Sequence, residues 1–310
     1  MSDPKFIKKM AVLVAIETIV GTIVVPVAAD AIEVSDVTLT PIEGDEVDQG
    51  VIKPYFGASE TTMVTLYRKI AFSVGFAGVA AAGDLPGVST LLRACAASVT
   101  NTPATSTVFA PVTDGIESVT IYAVVDKLLY KMAGARANAK AVVDAKQIPK
   151  WQFEFTGAFF PVEDVGAMPA VSYVKFVRPL GVNKLNTTLS LDGYNAAASS
   201  FQFDFGNQVV KDDLMNVDTT EITGRVSTGS VTFRNTSVAT KNWIEMARVS
   251  AKVPLLLKHG QAATNTVSIA APLAQIGKPT FGEQNGIQMI TVPLRFIPSD
   301  AGNDEWSITV

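Results

Sequence analysis

Histidine and cysteine are almost missing from this chain: His259 and Cys95 stand alone in 310 residues. A single thiol excludes an internal disulfide and any CxxC redox or metal pair. Cys95 shares a helical spacing with Val88, Leu91 and Leu92 and reads as a small buried hydrophobe, because a reactive thiol needs exposure and a cationic neighbourhood. His259, in Lys258-His259-Gly260, reads as an exposed structural histidine at a strand end or turn. A zinc site there would need carboxylates for its remaining ligands. No GxGxxG, P-loop or HExxH pattern occurs.

Charge is scarce too. Charged residues make up 17% of the chain and the net charge is −4, whereas a grip on nucleic acid needs a concentrated Lys/Arg surface. The basic stretches Lys5–Lys9 and Lys127–Lys140 are diluted by apolar and small residues. An uninterrupted membrane-length apolar run is also lacking. Lys5, Lys8 and Lys9 lead into Met10–Ala31 and imitate a secretory signal peptide. Glu17, Thr18, Gly21-Thr22 and Pro26 break that run into pieces too short to span a bilayer. A strand followed by an arm is the expectation for this segment, with a signal peptide as the alternative. The acidic cluster Glu43, Asp45, Glu46 and Asp48 lacks the ligand spacing of an EF-hand loop and reads as a solvated, protruding loop. No cofactor and no metal is expected, and nothing singles out a carboxylate pair of the glycosidase kind.

What the chain has in abundance is apolar residues, 48% of the total. For a chain of this size the excess means either a large core or apolar surface covered by other subunits, and the second is the expectation here. Period-two alternation dominates: Val119, Ile121, Ala123 and Val125; Trp151, Phe153 and Phe155; Phe201, Phe203 and Phe205; Ile290, Val292, Leu294 and Phe296. Each run marks a strand with one buried face, and each buried Phe or Ile contributes about 1.5–3 kcal/mol. Ala133–Ala145 has a composition that permits a helix, but its alternation of small and polar residues and its strand neighbours favour a strand. Asp114-Gly115, Asp192-Gly193 and Asn285-Gly286 supply hairpin turns. Two short helices are predicted, Thr90–Ala97 capped by Ser89 and Lys241–Val249 capped by Thr240.

These elements recur in one order. An extended segment, strands, a short helix and closing strands occupy residues 1–170, and the same plan occupies 171–310, with the Pro- and Gly-punctuated stretch Val165–Asn186 between them. The expected fold is mainly β: two tandem sandwich or barrel units, each with one flanking short α-helix.

Several stretches resemble the tail tube (major tail) proteins of long-tailed bacteriophages. They are Ile16-Glu17-Thr18, Ala29-Asp30-Ala31-Ile32, Thr40-Pro41-Ile42-Glu43-Gly44-Asp45-Glu46-Val47 and Lys53-Pro54-Tyr55-Phe56-Gly57. The likeness continues through Leu91–Cys95, Phe153–Gly157, Asp204–Asn207, Thr228–Phe233, Leu294–Pro298 and Gly302–Glu305. Two features depart from the pattern: Ile19–Val27 is more apolar, and Gln49 and Gln208 stand where more basic character is expected.

The resemblance implies a structural virion protein, not an enzyme. It would stack as rings into the tail tube, the channel for genome delivery. Strands would continue round each ring as a closed sheet, in trimers with pseudo-sixfold symmetry or in hexamers. Implied partners are further copies of itself, a tape measure protein, a tail terminator and tail-tip proteins. DNA would pass without specific binding, with no membrane involved, and the protein would be made in the host cytoplasm and reside in the virion tail. Contact residues implied between subunits or rings are Glu17, Pro41, Glu43, Asp45, Glu46, Asp48, Lys53, Tyr55 and Phe56. The alternative is another β-sandwich virion or surface protein, an adhesin or fibre.

Overall fold

The structure, a computed structural model, describes residues 4–261 and 265–310. Strands dominate, as the alternation predicts. The first half of the chain runs β1 (Met10–Ile16), β2 (Ala31–Ile32), β3 (Val34–Glu43), β4 (Glu46–Asp48), β5 (Thr61–Met63) and β6 (Tyr67–Gly75). Helix α1 (Ser89–Arg93) follows, then β7 (Ala97–Thr102), β8 (Ser106–Pro111), β9 (Val119–Val125), β10 (Leu128–Asp144), β11 (Lys150–Phe159) and β12 (Glu163–Asp164). After the coil of 165–186 come β13 (Thr187–Leu191), β14 (Tyr194–Asn195), β15 (Ala198–Asp204), β16 (Asn207–Leu214), β17 (Val217–Arg225) and β18 (Thr228–Arg234). Helix α2 (Trp243–Arg248) precedes β19 (Lys252–His259), β20 (Val267–Ile276), β21 (Thr280–Gln284), β22 (Ile287–Phe296) and β23 (Ser307–Thr309).

The largest sheet runs β3–β6–β11–β10–β15–β18–β22–β21, antiparallel at every step. A second layer is built from β2–β1–β9, which joins the first part of β10, and from β14–β13–β19–β20. β23 links β20 to β8 and β7. The ladders branch but never return on themselves, so the described residues form no closed barrel.

β10 serves both layers because it bends at Gly134. Its register shifts between Met132 and Ala135 against β9, and between Ala133 and Arg136 against β11. Gly134 has φ +59°, a conformation that costs a side-chain-bearing residue about 1–2 kcal/mol. The small, fully buried alanines 135, 137, 139 and 141 let the layers approach closely. The core is continuous between the halves: the rings of Trp151 and Phe205 lie 6.2 Å apart edge-on, and those of Phe205 and Trp306 are 4.4 Å apart.

Both helices differ from expectation at their starts. α1 stops at Arg93 and has no side-chain cap; Ser89 sits inside its first turn with a buried hydroxyl. α2 is capped by Asn242, whose Oδ1 accepts from the Glu245 N–H at 3.0 Å, while Thr240 closes a preceding turn with Ser237. The amide oxygen wins because it lies directly before the first helical residue, within reach of the third N–H of the helix.

Candidate assembly surfaces

The buried rings of the long sheet point to one face, which leaves the alternate residues on the other. There the side chains form cross-strand polar contacts. Thr232 and Thr291 hydroxyls meet at 2.9 Å, Ser200 donates to Asp144 at 2.5 Å, and Asn138 donates to Asp204 at 2.8 Å. Lys69, Lys140 and Lys150 share this face with Gln152, Glu154 and Gln202. Cations and anions are interleaved, without a single-sign patch.

Two hairpins leave the same end of this sheet. β4–β5 continues from β3 and returns into β6; β16–β17 continues from β15 and returns into β18. Each has a glycine at its neck. A Cβ on Gly44 would collide with the Thr65 carbonyl oxygen, and one on Gly206 with that of Val226.

Their surroundings differ. β16–β17 lies against β10 and β11. Buried Arg136, at the β10 bend, donates to the Thr220 carbonyl at 2.5 Å and to Ile116 O at 3.0 Å, and it pairs with Glu221. Asn207 donates to the carbonyls of Cys95 at 2.8 Å and Ala137 at 3.1 Å. All six strand residues of β4–β5, in contrast, are exposed, and the loop between them carries Ile52, 98% exposed, with Tyr55 and Phe56 also in solvent.

Among the residues implied as contacts, Pro41, Asp45, Glu46, Asp48, Lys53, Tyr55 and Phe56 are exposed on or beside this hairpin, with Glu43 half-buried at its base. Glu17 stands apart from them. It is 7% exposed, and its carboxylate accepts from the Ser118 and Thr120 hydroxyls at 2.6 and 2.8 Å and from the Gly21 and Gly134 N–H groups at 2.8 Å. It therefore ties the end of β1 to the β10 bend within this chain. The arm that follows, 18–27, runs along the surface with Ile19 and Val25 exposed.

Two residues central to these surfaces carry no sequence motif. Arg68, wholly buried, donates to the carbonyls of Pro41 at 2.8 Å, Lys131 at 2.6 Å and Phe160 at 3.1 Å, and stacks near Tyr130 and Phe159. Burial lowers its pKa from the ordinary range. Together with Arg136 it fixes the feet of the two hairpins. The one available hint is a cation on a strand whose alternate neighbours are apolar.

His259 differs from the expected exposed residue. It is buried at the end of β19, beside the Phe76 ring at 5.9 Å, with Nδ1 2.8 Å from Thr187 Oγ1. Burial pushes its pKa below the ordinary value, with a backbone bond to Leu180 opposing. Cys95 is fully buried, and burial raises its thiol well above its usual pKa.

A cleft of about 780 Å³ opens beside Val143, Val182, Phe201 and Arg234; its lining holds cations but no carboxylate, histidine or thiol. Among the described residues no group of His, Cys, Asp or Glu is placed to hold a metal ion, and no helix is long and apolar enough to cross a membrane. Compared with known protein families and curated proteins, the chain matches no family model and no curated sequence.

Proposed function

We propose that this chain is the tube-forming structural protein of a long-tailed bacteriophage. Copies join into rings, rings stack, and the genome passes through the bore at infection. The observation supporting this reading is the order of the long sheet. β3–β6–β11–β10 is followed by β15–β18–β22–β21, and the two terminal strands β3 and β21 each have a partner on one side only. On this reading the halves are tandem units: β4–β5 corresponds to β16–β17, α1 to α2, and the β1–β9–β10 ladders to β13–β19–β20.

An open sheet edge is a surface for pairing with another chain. A head-to-tail contact between unlike edges gives a ring when the rotation closes, and closure leaves no edge. Three copies would give a pseudo-sixfold ring if both units count equally; six are the alternative. The polar face of the sheet would line the channel. Its interleaved charges offer no concentrated cationic track, so phosphates slide past without being held. The exposed 41–57 loop and the 18–27 arm reach neighbouring copies. A tape measure protein sets the tube length, terminator and tip proteins close its ends, and the assembly resides in the virion tail after formation in the host cytoplasm.

Electron microscopy of the purified chain at high concentration tests this reading. Averaged end-on views are expected to give hollow six-lobed rings or tubes, and the mass per ring decides between three and six copies. A chain that stays monomeric, or forms fibres without a bore, overturns it.

A further inference from the structure

We infer that copies join side by side through an antiparallel ladder between β21 of one copy and β3 of the next, locked by an ion pair from Lys278 of the first to Glu60 of the second. This rests on the tandem reading above and specifies its contact. The chain already contains one such junction. The last part of β10 pairs with β15, placing Val142 opposite Gln202 and Val143 opposite Phe201. Arg136, six residues before Val142, reaches the β17 strand of the adjoining hairpin and pairs with Glu221. An edge ladder and a hairpin held by a buried cation together make the joint.

The register of the second junction follows from the ladders. In the first half Phe155 lies opposite Ile70; in the second Val292 lies opposite Val231. Five residues before Phe155, Lys150 faces Val142, and five before Val292, Ile287 faces Gln284. Gln284 therefore holds the place of Val142. On the other edge, Thr40 faces Lys69, just before Ile70, as Gln202 faces Ser230, just before Val231. Thr40 therefore holds the place of Gln202. The neck glycines check this alignment independently: Gly44 follows Thr40 by four residues and Gly206 follows Gln202 by four, each against the carbonyl five residues before Ile70 or Val231.

Carrying the alignment outward gives the ion pair. Six residues before Gln284, in the place of Arg136, stands Lys278. Ten residues before Ile70, at the height where Glu221 precedes Val231, stands Glu60. Both are exposed, and neither side chain has a hydrogen-bond or ion-pair partner among the described residues. All of β21 is exposed, as is the β4–β5 hairpin. One junction is satisfied within the chain, and the equivalent groups of the other carry opposite charges and stand open.

Directly opposed antiparallel residues have Cα atoms about 4.5–5.5 Å apart, within the reach of a disulfide. The full chain carrying both Thr40→Cys and Gln284→Cys is therefore expected to give a ladder of covalent multimers on oxidation, resolved on a non-reducing gel. Buried Cys95 is silent, and Val174→Cys with Gln284→Cys is the off-register control. Lys278→Glu or Glu60→Lys alone should cut the multimer yield about tenfold, and the two reversals together should restore it. Unchanged thermal unfolding of each variant shows that folding is intact, since these charged side chains lie in solvent. Yield no greater than the control, or indifference to charge reversal, overturns the inference. Wild-type tubes without the cross-link would reject this ladder while leaving the tube reading standing. Absence of both tubes and multimers would reject both.

Discussion

At the residue scale, the polar groups that matter are buried inside the chain and act on its own backbone. Glu17 satisfies four donors and Arg68 three carbonyls, and a buried donor or acceptor left unpaired costs about 1–3 kcal/mol. His259 gives this a measurable pH signature. Its folded pKa is depressed by burial, so below the unfolded value of about 6.5 the unfolded chain binds a proton that the folded chain does not. Its contribution is therefore fully present above pH about 6.5 and is lost as pH falls below that value. The depressed carboxyls of Asp126, held by the Phe6 N–H and Lys9, and Asp304, held by Ser299, lose their contributions only below about pH 4, a separate window. Urea midpoints measured between pH 7 and 5 are expected to fall in the wild type and to stay flatter in His259→Gln. Parallel slopes in the two proteins would remove His259 from the account.

At the element scale, the two hairpins make opposite demands on their neck glycines. Gly206 has φ +68° and no room for a Cβ, and its hairpin packs on β10 and β11 of the same chain. Gly206→Ala is expected to destabilise the chain by about 2 kcal/mol or more, from the left-handed backbone and the collision together, read as a lower urea midpoint. Gly44, with φ +155°, serves a hairpin that stands free. Gly44→Ala should swing that hairpin, cost little stability, and instead reduce association measured by sedimentation.

Sequence alternation carried the element level well where one face is apolar. β9, β11, β15 and β22 lie where Val119, Trp151, Phe201 and Ile290 begin or continue their runs, Ala133–Ala145 falls almost wholly within β10, and Asn285-Gly286 turns β21 into β22 at φ +54° and +76°. The β16–β17 hairpin was illegible. Apart from buried Thr220 its strand residues are exposed or half-buried and show no clean period, and it is held by Arg136 and Asn207, partners that only the fold brings near. For the same reason Glu17 reads as a contact residue and His259 as an exposed one: three of the four donors to Glu17, from Ser118, Thr120 and Gly134, lie about a hundred or more positions away, and Thr187 and Phe76 lie about 72 and 183 positions from His259.

At the scale of the whole molecule, two kinds of contact are separable. On the proposed tube reading the free edges β3 and β21 serve side-by-side joining, while the loop beyond β4 projects from the end of the sheet with Ile52 and Phe56 in solvent. Each apolar side chain covered by a neighbour contributes about 1.5–3 kcal/mol; on the proposed tube reading every copy in a ring would present the same pair, so ring stacking would draw on this loop many times over. Neither residue belongs to the core, so Ile52→Ser with Phe56→Ser should leave thermal unfolding unchanged. The edges are untouched, so rings should still close. What should disappear is stacking: electron micrographs are expected to show single rings where the wild type gives tubes, with a sedimenting mass that stops at one ring. Tubes of normal length from this variant would move the stacking contact elsewhere, to the 18–27 arm with its exposed Ile19 and Val25.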